Sequence, residues 1–261
     1  MEVTVDLVGS LAGRGYRFVR GADFRLDPDC ARAFRRFRAA WDDLPPDGYL
    51  PGHGTYRRRR HAKFLYSRTG LVLARVPGAG YHQSAEANPL IGGRIRRFAP
   101  FRDHEADNPF FRALARHNAL TFDRCAGQPP PFWEVDAHLI RVTATAGARG
   151  MPSPEGRHRD GFDYIALHHI GRANVEGGRT ILYTTPDGPP IAATTFRSPL
   201  DSLYAEDARV LHDVTPVSVA GPAASGHRDM LLMSFKAREE ARPPPAAPAD
   251  AHPPAAPAPP A

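Results

Sequence analysis

The sequence predicts a mainly β protein with flanking helices, whose core is a double-stranded β-helix, or jelly roll. Between Phe132 and Phe235, short apolar segments follow one another with glycine and proline between them, which is the pattern of many short strands joined by turns. The part of the chain before Phe132 carries helix caps and a hairpin signal. At 261 residues the chain can bury a substantial core. We expect one domain over residues 1–239, with core strands at about 132–236.

Two helices are predicted ahead of these strands. Asp27 and Pro28 supply an N-cap and a first helical residue. The apolar residues that follow fall roughly on one face: Phe34, Phe37, Trp41 and Leu44. A second helix starts at Asp107-Asn108-Pro109 and should run to about Arg124. We expect the first helix to pack against the core and the second to lie on the back of the sheet.

Strand signals of differing strength precede and open the core. Residues 1–25 alternate weakly between apolar and polar and suit one short strand, near Tyr16–Arg20. Residues 55–76 predict a hairpin around a turn at 67–70. The clearest alternating stretch runs from Phe132 to Val142. At the other end, residues 240–261 are mostly proline and alanine, and we expect a disordered tail there.

The charge balance raises the question of a nucleic-acid partner. The net charge is +6 and the isoelectric point is about 9.7, and the run Arg57–Arg60 is followed by His61 and Lys63. However, arginine greatly outnumbers lysine, as base composition alone can produce, and no helix-turn-helix, zinc-finger or aromatic ribonucleoprotein motif accompanies the charge. We therefore expect solvated surface arginines, and the sequence does not favour a nucleic-acid partner.

The cysteines and the apolar segments bear on location. Cys30 and Cys125 match no metal-ligand spacing, and such isolated thiols favour a reduced cytoplasmic protein. The chain opens with acidic residues, and no apolar run approaches the length that spans a bilayer. We expect a cytoplasmic protein without a membrane partner. The sequence makes no prediction of oligomeric state.

One short motif indicates a metal site. His158 and Asp160 are two residues apart, so on a strand their side chains point to the same side and can share one ion. A third ligand must come from elsewhere in the chain. His212, which follows Asp160 by 52 residues, fits the spacing of a jelly roll. The competing histidines are His168 and His169, which lie close to the first pair in sequence, and His227, which lies in the segment assigned to the co-substrate. Two histidines and one carboxylate, with other positions open, form the iron site of non-haem Fe(II) oxygenases.

Several motifs in order carry a family resemblance. They are Gly80–Ser84, Asn88–Leu90, Gly92-Gly93, Arg96–Phe98, Val135–Arg141, Pro154–Gly161, Arg172–Asn174 with Gly177-Gly178, Pro199–Ser202 and His227–Leu231. Taken together, they resemble the 2-oxoglutarate/Fe(II) dioxygenase family typified by bacterial L-isoleucine 4-hydroxylase. The resemblance covers nearly the whole chain except the tail, and the shared order is far more specific than any single motif.

This resemblance implies a jelly-roll dioxygenase that uses Fe(II), 2-oxoglutarate and O2. It implies that His158, Asp160 and His212 hold the iron. It also implies that Arg228, which follows the last ligand in the sequence, anchors the distal carboxylate of 2-oxoglutarate. Thr180 and Arg141 are further candidates for that carboxylate. However, Arg141 and His138 lie on opposite sides of their strand and cannot both point inward.

The resemblance further implies a small-molecule substrate, a free L-amino acid or a derivative, hydroxylated on an aliphatic carbon with release of succinate and CO2. Tyr81, Gln83 and Asp163 are the candidate substrate contacts. A zwitterion needs groups of both charges, which could come from Arg57, Arg94 or Arg141 with Asp163 or Glu155. Two alternatives stay open: a non-oxidative cupin-like metalloenzyme with the same ligands, and a basic nucleic-acid-binding protein in which those residues are incidental.

Overall fold

The computed structural model describes residues 1–50 and 55–241. Almost all of the predicted tail, residues 242–261, lies outside these ranges. The helices are α1 (Leu7–Arg14), α2 (Pro28–Phe37), α3 (Asp103–Ala106) and α4 (Pro109–Cys125), with 3-10 turns at Gly21–Asp23 and Arg38–Trp41.

Strands make up most of the remaining regular structure. They are β1 (Glu2–Val3), β2 (Tyr16–Val19), β3 (Phe24–Arg25), β4 (Arg57–Ser67), β5 (Val72–Val76), β6 (Tyr81–His82), β7 (Ile95–Arg96), β8 (Ala99–Pro100), β9 (Phe132–Thr145), β10 (Tyr164–Ala173), β11 (Val175–Gly177), β12 (Arg179–Tyr183), β13 (Ala192–Thr195), β14 (Ser202–Glu206), β15 (Leu211–Val214), β16 (Val217–Val219) and β17 (Ser225–Arg238).

One large sheet, in the order β2-β14-β10-β17-β9-β4-β5, with β8 beside β4, forms the back of the molecule within the described residues. Two smaller sheets, β13-β12-β15 and β11-β16, pack against its inner face. Apolar side chains fill the space between the layers, among them Leu167 of β10 and Leu182 of β12. This is the predicted jelly-roll core, with the helices outside it.

The register of the large sheet decides which side chains face the interior. Arg59 of β4 lies opposite Ile140 of β9, and Ile140 lies opposite Met230 of β17. Residues paired in this way point to the same side, and each neighbour along a strand points to the other side. Apolar side chains of the outward face pack on α2 and α4 through a cluster that includes Phe64, Phe111, Phe122, Trp133 and Phe235.

The two predicted helices and the hairpin are confirmed. Asp27 caps α2 by accepting a hydrogen bond from the Cys30 backbone N–H at 2.8 Å. Asn108 caps α4 in the same way, with Phe110 and Phe111 as donors. β4 and β5 pair as an antiparallel hairpin. In each case the local cap or turn residues agree with the apolar pattern that follows them.

The prediction for residues 1–25 missed a helix. The short strand β2 is present where expected, but α1 precedes it. Asp6 caps α1 by accepting from the Gly9 backbone N–H at 2.9 Å, and Leu7 and Leu11 are its buried residues. Only these two side chains anchor the helix in the core, so the periodic signal was too weak to read.

The arginine run is not a surface patch. Arg57 and Arg59 point to the inner face of the sheet and are 5% and 6% exposed, whereas Arg58 between them is exposed. Arg60 points to the helix side, where it contacts Glu105 at 3.7 Å. The expectation of solvated arginines is therefore wrong for most of this run, because strand alternation buries them. Within residues 1–50 and 55–241, no helix is both long and apolar enough to cross a bilayer.

Candidate active site

A cavity lies between the large sheet and the smaller sheets. Its wall includes charged, polar and apolar residues: Arg57, Arg59, Tyr81, Gln83, Asn88, Ile91, Arg96, His138, Ile140, Val142, Pro152, Ser153, Glu155, His158, Asp160, Leu167, Thr180, His212, Val214, Arg228, Met230, Leu232 and Ser234.

The three predicted metal ligands meet at this cavity. One potential ligand atom from each of His158, Asp160 and His212 lies within 4.8 Å of the others, and all three residues are buried. His158 and His212 exchange two backbone hydrogen bonds, of 3.1 and 2.9 Å. His158 and Asp160 lie in the loop between β9 and β10, and not in the regular strand that the sequence predicts. The backbone is left-handed at Gly156 and Gly161, with φ of 77° and 83°, which interrupts a strand there.

Asp207 fixes the loop that carries Asp160. Its carboxylate accepts hydrogen bonds from the backbone N–H groups of Asp160, Gly161 and Phe162, at 3.0, 2.7 and 3.0 Å. Burial and the negative charge of Asp160 raise the pKa of Asp207 to about 6, although these N–H groups favour its ionised form. Sequence reasoning missed this residue, because nothing in the residues around Asp207 indicates which loop it holds.

The electrostatics of the three residues favour a cation between them. His158 Nε2 lies 3.3 Å from Glu155 Oε1 and 3.6 Å from Asp160 Oδ1. Burial lowers the pKa of His158, but the contact with Asp160 and the charge of Glu155 outweigh burial and raise the pKa to about 9. In contrast, burial and the charge of His158 lower the pKa of His212 to about 4.

This donor set fits the implied iron ion. It offers two imidazoles and one carboxylate, the ligand types of non-haem Fe(II) sites. The Nδ1 atom of His158 contacts the Gly156 carbonyl oxygen at 2.8 Å, so Nδ1 carries a proton when it donates there and Nε2 is left as the ligand atom. The surplus of negative charge around Nε2 suits a metal ion.

Gln83 links the loop to a second polar layer. Its side-chain amide donates to Asp160 Oδ1 at 3.2 Å, and its Oε1 accepts from Arg96 Nη2 at 2.5 Å. Tyr81 lines the cavity beside it, beneath the Arg96 guanidinium, which lies 4.8 Å from the ring centroid. Two of the three predicted substrate contacts, Tyr81 and Gln83, therefore line the cavity, and Gln83 also contacts a proposed metal ligand.

Arg228 and Thr180 lie in another part of the cavity wall. Arg228 is 3% exposed and Thr180 fully buried, and neither Arg228 Nε nor Thr180 Oγ1 has a hydrogen-bond partner among the described residues. Burial, with the charge of Arg172, lowers the pKa of Arg228 to about 10, which leaves it cationic at neutral pH. Gly178 lets this side chain pass, since a Cβ there would lie 3.0 Å from Arg228 Cδ.

Two predicted site residues lie elsewhere. Arg141 points to the helix side of β9, where its Nε and Nη2 atoms donate to Asp229 at 2.7 and 2.8 Å. Asp163 accepts hydrogen bonds from Lys236 Nζ and from the Ala237 backbone N–H. Neither residue lines the cavity. The structure thus gives both side chains structural partners and does not bring them to the site.

The competing histidines also have partners of their own. His168 contacts Ser202 Oγ at 2.8 Å and Asn118 Nδ2 at 3.0 Å on the helix side of the sheet. His169 contacts the Ser198 carbonyl oxygen at 2.9 Å, and His227 lies 3.6 Å from Asp229. Like Arg141 and Asp163, these histidines are absent from the cavity wall.

Arg57, Arg59 and Arg96 also line the cavity, although we had not placed them together. The sequence contains a signal that places two of these arginines on the same side of a strand. In a predicted strand, the alternation rule puts Arg57 and Arg59 on one face, which is the inner face in the structure. Arg96 gives no such signal, because it reaches the cavity from the short strand β7.

Comparison with known proteins adds family information. The family described as 2OG-Fe dioxygenase matches residues 38–234. A 3(1)-hydroxy-L-isoleucine 4-dioxygenase from Pantoea ananatis is 24% identical over 233 residues, which is 88% of this chain and 92% of that protein. An L-isoleucine-4-hydroxylase from Bacillus thuringiensis is 26% identical over 160 residues, which is 61% of this chain and 66% of that protein.

Solved structures share the fold. A BsmA homologue from Methylobium petroleophilum superposes with a TM-score of 0.78 at 29% identity, over 91% of this chain and 97% of that chain. The structure of IDO from Bacillus thuringiensis superposes with a TM-score of 0.75 at 19% identity, over 89% of this chain and 98% of that chain.

Proposed function

Because the chain belongs to the 2OG-Fe dioxygenase family, a family that uses Fe(II), 2-oxoglutarate and O2, we propose that it hydroxylates an aliphatic carbon of a free L-amino acid or close derivative. The observation that carries the proposal is the meeting of His158, Asp160 and His212 at a buried cavity that also contains Arg228. Bound Fe(II), with 2-oxoglutarate and O2, supplies the oxidising chemistry. One oxygen atom goes to the substrate carbon and the other to succinate, while 2-oxoglutarate loses carbon dioxide.

The chain's own residues would orient the reactants. His158, Asp160 and His212 would hold the iron, and Asp207 keeps the loop of Asp160 in place through three backbone hydrogen bonds. Outer contacts of this kind fix the position of metal ligands. Part of the cavity wall is apolar, with Ile140, Leu167 and Met230 among its members, and these side chains would limit the access of water to the reacting atoms.

Arg228 would bind the distal carboxylate of 2-oxoglutarate, and the Thr180 hydroxyl would donate a hydrogen bond to the same carboxylate. The support is their burial and their unpartnered polar atoms. Among the described residues, the Arg228 guanidinium forms no ion pair with a carboxylate; a buried cation of this kind is costly, and a planar carboxylate is the ligand that best matches it. We leave Arg141 out of this site because Asp229 already holds it.

The names of both relatives specify an isoleucine compound as substrate. We infer from this likeness that a small amino acid enters the cavity. Ile91, Ile140, Val142 and Val214 provide an apolar wall that suits an aliphatic side chain. Tyr81 and Gln83 line the same space and would contact the substrate. We also infer a cytoplasmic location, since Cys30 and Cys125 are both free thiols.

The test is a screen of the twenty free amino acids with Fe(II), ascorbate and 2-oxoglutarate. Two products are measured in each reaction: succinate, and an amino acid whose mass has increased by one oxygen atom. We expect at least one aliphatic amino acid to give both products in equal amounts. If none of the twenty amino acids raises succinate formation above the uncoupled background, the proposed substrate class is wrong. The cupin-like alternative predicts no succinate with any substrate, even though it uses the same ligands.

A further inference from the structure

Three buried arginines line the cavity from β4 and β7, whereas Arg228, the proposed 2-oxoglutarate anchor, lies on β17, on the other side of β9. Arg57, Arg59 and Arg96 are 5%, 6% and 1% exposed. They are associated with a single carboxylate, Asp47, which lies 2.7 Å from Arg57 Nε and 3.7 Å from Arg59 Nη1. Arg96 has no ion pair within residues 1–50 and 55–241. This group therefore carries an excess of positive charge in a place shielded from water, which is costly unless an anion binds there.

Unused hydrogen-bond donors belong to the same group. Arg57 Nη2, Arg96 Nε and His138 Nε2 are buried and have no hydrogen-bond partner among the described residues. The Arg59 guanidinium contacts His138 Nδ1 through Nε at 3.2 Å and Nη2 at 3.0 Å. Arginine can only donate, so His138 Nδ1 accepts and the His138 proton is on Nε2. All three free donors thus belong to side chains of the cavity wall.

The nearby acids do not explain this excess charge. Two of these acids already have cationic partners on β4. Asp136 contacts His61 and Lys63, and Glu134 contacts Lys63. Glu155 is the cavity-lining carboxylate other than Asp160, and the ion pair found for it within the described residues is with His158. A bound iron ion would take His158 Nε2 and leave the Glu155 carboxylate free for a cation.

Resting on the proposed function, we infer that Arg57 and Arg96 bind the free carboxylate of the amino-acid substrate and that Glu155 receives its ammonium group. Arg59 supports them by adding positive charge and by orienting His138, whose Nε2 proton is a further donor. The substrate is then a zwitterion with an unmodified carboxylate. Peptidyl and carrier-bound amino acids, in which that carboxylate is an amide or thioester, would leave the buried guanidinium groups unpaired and are excluded.

The first arm of the test uses the unaltered protein. The amino acid with the highest turnover in the screen is compared with its primary amide and with the carboxylic acid that lacks the amine. We expect the amino acid to exceed both analogues in kcat/KM by roughly ten- to a hundred-fold, the effect of losing one charge-assisted interaction. Equal use of the amide would overturn the inference, although the proposed function would stand. If no free amino acid is turned over, the proposed substrate class fails, and this inference fails with it.

The second arm uses variants. Arg57→Gln and Arg96→Gln should raise the KM for the amino acid roughly ten- to a hundred-fold and shrink the preference over the amide by a similar factor, with the KM for 2-oxoglutarate unchanged. Arg58→Gln is the matched control, because Arg58 is exposed on the other face of the same strand. Glu155→Gln should shrink the preference over the acid that lacks the amine. A fall in kcat with an unchanged preference would indicate a structural role and overturn the inference.

Discussion

Arg228 and Arg141 show how two arginines on neighbouring strands serve different purposes. Arg228 points inward without a carboxylate partner among the described residues. Arg141 points outward and forms a bidentate ion pair with Asp229. A buried cation without a counterion reduces stability and is kept where a ligand needs it. A paired one holds the fold.

The two arginines should therefore respond differently to substitution. Arg228→Gln should raise the KM for 2-oxoglutarate roughly ten- to a hundred-fold without lowering the melting temperature. Arg141→Gln should lower the free energy of unfolding by about 1.5–3 kcal/mol, since it removes hydrogen bonds to a charged group, and leave that KM unchanged. Steady-state kinetics and urea unfolding of both variants check this. A raised KM in Arg141→Gln alone would reverse the two roles.

The residue types at the site were more predictable than the roles of individual residues. His158, Asp160, His212 and Arg228 follow from short motifs and family resemblance. Asp163 was assigned to the substrate, but its partners on β17 are long-range contacts that no local pattern reveals. The same reason hid Asp207.

At the scale of elements, the loop between β9 and β10 depends on Asp207. The three backbone N–H groups that this carboxylate accepts are those of Asp160, Gly161 and Phe162. The sequence predicted a strand for the ligand pair, because alternation is the simplest way to place two side chains together. The observed solution uses left-handed glycines and one remote carboxylate.

Asp207→Asn should loosen this loop, because an amide offers one acceptor oxygen where the carboxylate offers two. We expect iron affinity to fall about ten- to a hundred-fold, the usual effect of losing an outer contact to a ligand, with the fold retained by circular dichroism. Glu206→Gln is the matched control: Glu206 is the adjacent residue, and its contact with Arg209 is partly exposed. Unchanged iron affinity in Asp207→Asn would show that the loop keeps its conformation without the Asp207 carboxylate.

For the whole molecule, the helix–sheet interface contains a buried polar group that should affect stability as a function of pH. Burial lowers the pKa of His168 to about 3, and that of nearby His117 to about 4. His168 contacts Asn118 and Ser202. In the unfolded chain, this histidine has a pKa near 6.5 and binds a proton below that pH, whereas folded His168 stays neutral. The free energy of unfolding therefore falls as pH drops from about 6.5 towards 3.

His168→Gln removes this titration while keeping a polar side chain. Urea unfolding at pH 6.5, 5.5 and 4.5 should show that the wild-type protein loses about 1.4 kcal/mol more per pH unit than the variant. Below about pH 6.5 the variant should gain relative to the wild type, even if it is less stable at neutral pH. Parallel stability curves would mean that His168 is protonated in the folded state or reaches solvent.

The overall architecture was the most predictable level. Strand signals from Phe132 onward indicated the jelly roll, and caps at Asp27 and Asn108 indicated α2 and α4. What the sequence could not supply was register. Only the pairing of Arg59 with Ile140, and of Ile140 with Met230, shows that Arg57 and Arg59 face the cavity, whereas Arg58 between them is exposed.

Measurement of the Fe(II) content of anaerobically loaded protein would show whether His158, Asp160 and His212 bind the catalytic iron. Wild-type protein and Arg159→Ala, whose exposed residue lies between the two loop ligands, should each bind about one iron per chain, as the 2-His-1-carboxylate site requires. His158→Ala, Asp160→Ala and His212→Ala should lose iron and succinate formation together while staying folded. Full iron content and full succinate formation in His158→Ala or Asp160→Ala would contradict the account.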